Sequence, residues 1–260
     1  MAHEFAIYER RPAEHVAIVT MNRPASMNAL HNPASQEMAA IWDDFAADPE
    51  LWVAILTGAG DRAFSAGMDL KWRRGEGDPD RPESGWGGLL TRFDLSKPVI
   101  AAVNGWAMGG GLEIALACDL IIAAEHAQLG LPEVRVGTVG SNSGGIHRLP
   151  RQIPQKVALA MILTGRPISA QEAHRIGLVN EVVPADQLLD AALRWAGWIV
   201  EAAPLAVRGA KEALFAGLDV TLPAAIRRRY HGVERNGSSA DQEEGRRAFA
   251  EKRPPRWSGR

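Results

Sequence analysis

The stretch Trp106-Ala107-Met108-Gly109-Gly110-Gly111-Leu112-Glu113 follows the apolar run Val99–Val103 and leads into a helix-like segment over residues 112–118. Successive glycines after a strand let the backbone turn sharply and approach a ligand closely. The next helix then directs unpaired N–H groups at that point, where an anionic oxygen is the natural occupant. Glu113 lies at the start of the helix, so a general base would lie within reach of a ligand held by the glycine amides.

Glycine clusters also occur in tight connections that carry no chemistry, so this interpretation needs a second signal. The sequence has no P-loop pattern with its Lys-Ser/Thr pair, and no G-x-G-x-x-G follows a strand. Both observations disfavour a nucleotide-phosphate fold.

The second signal is the segment Ala63-Phe64-Ser65-Ala66-Gly67-Met68-Asp69-Leu70. A predicted strand over residues 52–57 and the turn Gly58-Ala59-Gly60-Asp61 precede it, and Ala66-Gly67 leads into Met68-Asp69-Leu70-Lys71. The pattern predicts a second strand-to-helix turn, whose backbone could donate another amide to the same ligand.

Composition limits the class of protein. A chain of 260 residues with 46% apolar content can form a large core as one domain. A net charge of -2 gives no reason to expect nucleic acid or an anionic membrane as the main partner. The single cysteine, Cys118, excludes an intramolecular disulfide, and its apolar neighbours favour a packing role.

No metal and no membrane span are predicted. No stretch approaches the ~18 to 20 apolar residues that cross a bilayer, and no basic segment followed by an apolar run stands at the start. We therefore expect a cytoplasmic protein. Ligand spacing such as H-x-x-x-H is absent from the histidines considered, which are His31, His126, His147, His174 and His231.

Alternating apolar runs and amphipathic segments predict an α/β fold with a sheet covered by helices. Residues 5–9 and 16–21 predict a hairpin. Asn32 and Pro33 are typical of the cap and first residue of a helix that ends near Ala47. One face of that helix is apolar and consists of Met38, Ile41, Trp42 and Phe45.

Further strands are predicted at residues 52–57, 99–104 and 120–123, with helices between them. From Pro154 onward a strand is predicted only at residues 178–182. The helices predicted in this last part cover residues 155–163, 170–176, 188–202, 205–216, 224–235 and 241–251. Residues 73–87 are almost free of apolar side chains and predict a mobile loop; a solvated loop without a role is the alternative.

The two glycine-containing segments, 64–70 and 109–113, resemble the signature stretches of the crotonase family, the enoyl-CoA hydratase/isomerase superfamily. The resemblance continues through residues 118–123, 129–133, 163–170, 177–180 and 248–253, and so spans nearly the whole chain. It implies an α/β spiral of strand-strand-helix (ββα) turns over residues 1–200. It also implies a helical region over residues 201–260 that forms a homo-trimer or a hexamer, a dimer of trimers.

The resemblance also implies the catalytic groups. Its two oxyanion amides match Met68 and Gly110, and its two catalytic glutamates match Glu113 and Glu133. By resemblance Glu113 is the water-activating base and Glu133 the proton donor in hydration, although the sequence alone does not separate these roles. The alternative is that Glu133 caps a turn and Glu113 forms a helix-end ion pair.

Coenzyme A is the family's acyl carrier, and the resemblance implies that it enters as part of the substrate, with no other cofactor. Lys71 and Lys252 match basic phosphate-binding positions, and Ala66 matches the carbonyl that contacts adenine; Arg23 could assist. A single Lys or Arg is otherwise a solvated surface charge. The neighbouring residues assigned to the same substrate-binding segments are Gly67, Asp69, Leu70 and Gly109.

The segment 137–149 departs from the family pattern, because a proline is missing and the loop is one residue longer. Ser141, Asn142 and Ser143 could contact a functionalised acyl group, or they could cap the following helix. We therefore expect an enoyl-CoA hydratase or acyl-CoA dehydratase of unspecified acyl group. The alternatives are double-bond isomerisation, thioester hydrolysis, decarboxylation, or a non-catalytic acyl-CoA-binding subunit.

Overall fold

The part of the chain that the structure describes forms a larger sheet of six strands, which lie in the order β1 (Ala6–Arg11), β2 (Val16–Met21), β3 (Val53–Gly58), β5 (Val99–Val103), β7 (Leu120–Ala124) and β10 (Glu181–Val183). The computed structural model describes residues 3–260, apart from the side chain of Asn142. Strands β1 and β2 form the predicted antiparallel hairpin, and the other neighbouring pairs are parallel.

A smaller sheet has the order β4-β6-β8-β9, with β4 (Ala63–Ser65), β6 (Trp106–Met108), β8 (Gln128–Gly130) and β9 (Ile168–Ser169). β4, β6 and β8 are mutually parallel, whereas β9 is antiparallel to β8. Each passage of the chain adds one strand to each sheet, as β3 and β4, then β5 and β6, then β7 and β8. The chain therefore advances as a spiral, and the predicted α/β architecture is confirmed.

Sequence reasoning missed the smaller sheet, because strands of two or three residues are too short to show a period. It also predicted helices between the strands of the larger sheet, but β3 and β5 are joined by β4, a loop and a short 3₁₀ turn, Trp86–Gly88. No helix follows Gly67, because Met68 lies in a bridge with Leu30 and the chain then turns.

The larger sheet is covered on both faces, which explains its nearly continuous apolar strands. In β3, Ala54 and Leu56 face the core that contains helix α1 (Asn32–Ala47), whereas Val53 and Ile55 face helix α6 (Leu188–Val200). The predicted apolar face of α1 is fully buried. Its cap differs from the prediction, because the ring Nδ1 of His31, and not Asn32, accepts a hydrogen bond from Ala34 N–H.

Helices dominate from Pro154 onward, as predicted, but the segment expected as one helix over residues 224–235 is broken near Arg228, and the bounds of the helix Gly145–Gln152 were not predicted. The helices not yet given are α2 (Gly110–Ala117), α3 (Gly145–Gln152), α4 (Gln155–Thr164), α5 (Ala170–Arg175), α7 (Pro204–Leu218), α8 (Leu222–Arg227), α9 (His231–Gly237) and α10 (Ala240–Glu251). Within residues 3–260 no helix combines the length and apolar character needed to cross a membrane. The division into residues 1–200 and 201–260 stays a prediction.

Candidate active site

The triple glycine connects β6 to α2. Gly109 has φ 53° and precedes the helix, so Gly110 is its first residue. The first helical hydrogen bond runs from Glu113 N–H to Gly109 O over 2.9 Å. The Gly110 N–H is therefore one of the amides that a helix start leaves without an intrahelical acceptor. Gly111 is required for packing, because a Cβ there would lie 2.0 Å from Ser65 O.

The other segment brings a second amide to the same place. Leu30 N–H donates to Gly67 O over 2.7 Å, and Asp69 N–H donates to Leu30 O over 2.8 Å. These bonds flank Met68 on one side, so its own N–H points to the opposite side, as in any parallel bridge. A Cβ on Gly67 would lie 2.7 Å from the Gly110 nitrogen, and one on Gly110 would lie 3.5 Å from the Met68 nitrogen. The two predicted donor amides are thus neighbours.

Asp69 and Arg23 hold the segment 64–70 in place. The Arg23 guanidinium donates to Asp69 Oδ2 over 3.0 Å and to Ala29 O over 2.5 Å. Asp69 Oδ1 also accepts the N–H groups of Lys71 and Trp72, each over 3.1 Å. Burial opposes ionisation, yet these donors together hold the pKa of Asp69 below its ordinary value. Substrate binding by either residue stays a prediction, and the contacts of both fix the backbone beside Met68.

Glu113 is buried beside the glycine turn, with only 3% of its surface exposed. Gly145 N–H donates to its Oε1 over 2.9 Å, and the Ser143 hydroxyl also donates to the carboxylate. Burial raises the pKa of Glu113 to about 7, and repulsion from Glu133 adds to that shift. Helix α2 therefore carries a carboxyl group that titrates near neutral pH.

Glu133 comes to the same place from the 3₁₀ turn Glu133–Val136 after β8. A Cβ on Gly109 would lie 3.0 Å from its Oε1, and one on Gly140 would lie 3.1 Å from its Cγ. Burial raises the pKa of Glu133 as well. The structure thus brings together both predicted glutamates and the glycine turn, in a region where burial shifts the pKa of each carboxyl group upward.

The segment 137–149, which departs from the family pattern, forms part of the surroundings of Glu113. Of the two roles left open for this loop, capping of α3 is not the one that Ser143 takes, because Gly144 is the residue that precedes the helix. Ser143 instead contacts Glu113. The side chain of Asn142 lies outside the described part of the chain, so the prediction for it is not tested.

Arg148 is a residue that sequence reasoning did not single out. Its guanidinium donates to Leu90 O over 2.7 Å, and its positive charge opposes the upward shift in the pKa of Glu113. A lone arginine in a helix gives no sequence signal of such a role, since only the packing of α3 against α2 brings it there.

The other predicted substrate-binding residues lie around the segment 64–70 or near the C-terminal end of the chain. Ala66, Leu70 and Lys71 are exposed next to the Met68 bridge. Lys252 ends α10 in a left-handed conformation, and its N–H donates to Phe249 O. Within residues 3–260 no group of three or more His, Cys, Asp or Glu side chains could hold a metal ion.

Known proteins resemble this chain over nearly its whole length. The sequence model of the enoyl-CoA hydratase/isomerase family matches residues 11–260. The carnitinyl-CoA dehydratases of Proteus mirabilis and Salmonella agona are each 45% identical over 248 residues, which are 93% of this chain and 94% of theirs.

Solved structures agree with the sequence comparison. An enoyl-CoA hydratase of Mycobacterium marinum has a TM-score of 0.91 and 40% identity, over 98% of this chain and 99% of that one. The enoyl-CoA hydratase of Mycobacterium tuberculosis has a TM-score of 0.90 and 38% identity, over 98% and 99%. The chain therefore belongs to the enoyl-CoA hydratase/isomerase family.

Proposed function

We propose that this protein catalyses the reversible addition of water across the 2,3 double bond of an enoyl-CoA thioester. The observation that carries the proposal is the meeting of two carboxyl groups of raised pKa, Glu113 and Glu133, at a turn where the Met68 and Gly110 amides are neighbours. An oxyanion site alone stabilises charge, whereas hydration also moves protons.

In this proposal the Met68 and Gly110 N–H groups bind the thioester oxygen. Addition of water oxygen to C3 pushes the electron pair of the double bond towards the carbonyl, so negative charge develops on that oxygen. A donor placed there typically contributes ~3 to 4 kcal/mol in the transition state. Because backbone amides do this work, the Met68 side chain has no part in it.

The two glutamates would handle the protons. Glu113 takes one from the attacking water, and Glu133 gives one to C2, which completes the 3-hydroxyacyl thioester. Such a pair works when it carries one proton between its members, and mutual repulsion in a buried site favours that state. Two hydrogen bonds, from Gly145 N–H and Ser143, would orient Glu113 towards the water.

Coenzyme A would enter with the acyl group, with Lys71 and the Ala66 carbonyl beside the oxyanion turn available to its phosphate and adenine groups. No separate cofactor is part of this proposal. The name of the relatives, carnitinyl-CoA dehydratase, favours dehydration of a 3-hydroxyacyl thioester as the physiological direction.

The test is incubation with crotonyl-CoA and with longer, branched and polar enoyl-CoAs, followed by absorbance of the conjugated thioester and by mass. We expect loss of conjugation and a gain of one water mass. An isobaric product would show isomerisation instead, loss of the acyl group would show thioester hydrolysis, and binding without turnover would show an acyl-CoA-binding subunit. Each of these results would overturn the proposal.

We also propose a homo-trimer, or a hexamer built from two trimers. The last helices leave large apolar side chains exposed, which is typical of a surface that another subunit covers. These side chains are Leu214, Phe215, Leu218, Leu222, Ile226 and Phe249. Light scattering after gel filtration at micromolar concentration tests the assembly, and a monomer would contradict it.

A further inference from the structure

A cavity of 540 Å³ lies beside the candidate active site, between the segment 80–91 and Ser143. Its outer wall is formed by Asp80, Arg81 and Glu83, and its inner wall by Trp86, Leu90 and Ser143. Asn32, at the start of α1, and Thr91 complete the polar lining. Ser143 is the residue of this lining for which the sequence suggested contact with a functionalised acyl group.

The inner wall is held in place by two glycines. Gly87 and Gly88 have φ of 60° and 68°, which only glycine adopts readily. A Cβ on Gly87 would lie 2.7 Å from the Ile114 side chain in α2, and one on Gly88 would lie 2.7 Å from the Ala39 backbone in α1. Trp42 Nε1 also donates to Gly87 O over 2.8 Å. These contacts fix Trp86 at the cavity.

The cavity is continuous with the catalytic groups. Ser143 lines it and also donates to Glu113, and Leu90 lines it while its carbonyl accepts from Arg148. A substrate whose thioester oxygen meets the Gly110 amide would therefore extend its acyl group past Glu113 and Ser143 into this space.

The chemistry of the lining does not suit a fatty chain. Pockets for alkyl groups are lined mainly by hydrophobic side chains, with few polar groups. Among the described residues, three charged ones and three neutral polar ones, Asn32, Thr91 and Ser143, line the space, and the large apolar groups are Trp86 and Leu90. Even the Trp86 ring is covered by a cation, because the Arg81 guanidinium carbon lies 5.2 Å from its centroid.

We propose that this cavity receives the end of the acyl group distal to the double bond, and that it selects a polar, hydrogen-bonding terminus over an alkyl terminus of the same length. The inference rests on the proposed function, and it specifies the substrate class of the same site. An alkyl end would remove water from polar groups of the lining such as the Glu83 carboxylate without replacing their hydrogen bonds, whereas a hydroxyl end would replace them.

A matched pair of substrates tests this. 5-Hydroxypent-2-enoyl-CoA and hex-2-enoyl-CoA differ only in a terminal hydroxyl against a methyl group. We expect kcat/KM to favour the hydroxylated substrate by about tenfold, which is less than fully enclosed polar sites achieve because this cavity is partly open. An equal value, or a preference for hex-2-enoyl-CoA, would overturn the inference.

The saturated pair, 5-hydroxypentanoyl-CoA and hexanoyl-CoA, gives the same comparison by equilibrium binding and needs no turnover. If crotonyl-CoA is not hydrated, the proposed function fails, yet the ratio of the two dissociation constants still tests the inference. If crotonyl-CoA is hydrated and the alkyl compounds are preferred, only the inference fails.

The variant Glu83→Met removes one charged group of the lining, and Glu76→Met makes the same change in the same loop outside the cavity. We expect Glu83→Met to reduce the preference for the hydroxylated substrate by at least about threefold, through loss of a hydrogen-bonding partner. Glu76→Met should leave both substrates unchanged. An unaltered preference in Glu83→Met, or an equal loss in both variants, would contradict the assignment.

Discussion

The two segments that bring an amide to the candidate site are built in different ways. In the segment around Gly110, the amide is the free N–H of a helix, and glycines allow the close approach. In the segment around Met68 there is no helix, and a bridge to Leu30 directs the amide while Asp69 and Arg23 hold the chain. The same donor can thus arise from a helix start or from a clamped loop.

The carboxyl groups of the two segments differ accordingly. Asp69 is surrounded by donors, so its pKa is lowered and it stays ionised as a structural acceptor. Glu113 is buried with fewer compensating donors, so its pKa is raised to about 7. A carboxyl group whose charge is stabilised by hydrogen-bond donors of the fold stays ionised and is unsuited to moving protons. A carboxyl group whose ionised form is destabilised by burial can gain and lose a proton near neutral pH. The comparison predicts catalytic work for Glu113 and a supporting role for Asp69.

The largest effect should come from removing the proton-transfer groups. Glu113→Gln and Glu133→Gln each keep the size of the side chain, and each should lower kcat by ~10² to 10⁴ with the fold intact. Because the two groups act on one water, the double variant should lose far less than the product of the single losses. Hydration rates of crotonyl-CoA measure this. In an isomerase-like site one of the two single variants would be inactive, whereas the other would keep nearly all of its activity.

The next largest effect is expected from removal of the Gly110 N–H at the start of α2. Gly110 is the first residue of α2, a position where proline fits a helix, so Gly110→Pro mainly deletes the N–H. We expect kcat to fall by ~10² or more, with a smaller change in substrate affinity. Gly110→Ala is the control, because it keeps the donor and adds a Cβ 3.3 Å from Gly67 Cα. Near-normal turnover of folded Gly110→Pro would place the thioester oxygen elsewhere.

The raised pKa of Glu113 has a consequence for stability. Between its ordinary value of 4.5 and about 7, the folded protein binds a proton that the unfolded chain releases, so this group's contribution to stability is lost as pH rises through 7. The variant Glu113→Gln has no titrating group at this position, so its stability does not fall with pH for this reason.

We expect Glu113→Gln to be more stable than the wild type at pH 8, by up to ~3 kcal/mol, and the difference to vanish near pH 4.5. Denaturant unfolding across this pH range measures the difference in the free energy of unfolding. A difference that is constant with pH would show that Glu113 titrates normally.

The smallest effect is expected at the segment around Met68, which Asp69 and Arg23 hold in place. Arg23→Met removes the partner of Asp69, and misplacement of the Met68 amide should lower kcat by about tenfold. If Arg23 instead bound coenzyme A, as first predicted from the sequence, KM would rise while kcat stayed the same. Arg62→Met is the control, since Arg62 is exposed on the loop before β4. The split between kcat and KM thus decides the role of Arg23.

Much of the fold could be predicted from the sequence, because its signals are local. The apolar strands of the larger sheet, the buried face of α1 and most C-terminal helices follow from periodicity over five or more residues. The two glycine segments were also visible, since only glycine allows the turns at Gly67 and Gly109. Family resemblance then predicted the spiral, Glu113 and Glu133.

Tertiary structure alone decided how these pieces support one another. Strands of two or three residues form a sheet only when neighbouring turns of the spiral supply partners, so β4, β6 and β8 had no local signal. The Arg23–Asp69 pair joins positions 46 residues apart, and Arg148 reaches Leu90 across 58 residues. The pKa of Glu113 likewise depends on burial by distant segments. Sequence determined which groups are present, and long-range packing determined their partners and their charge.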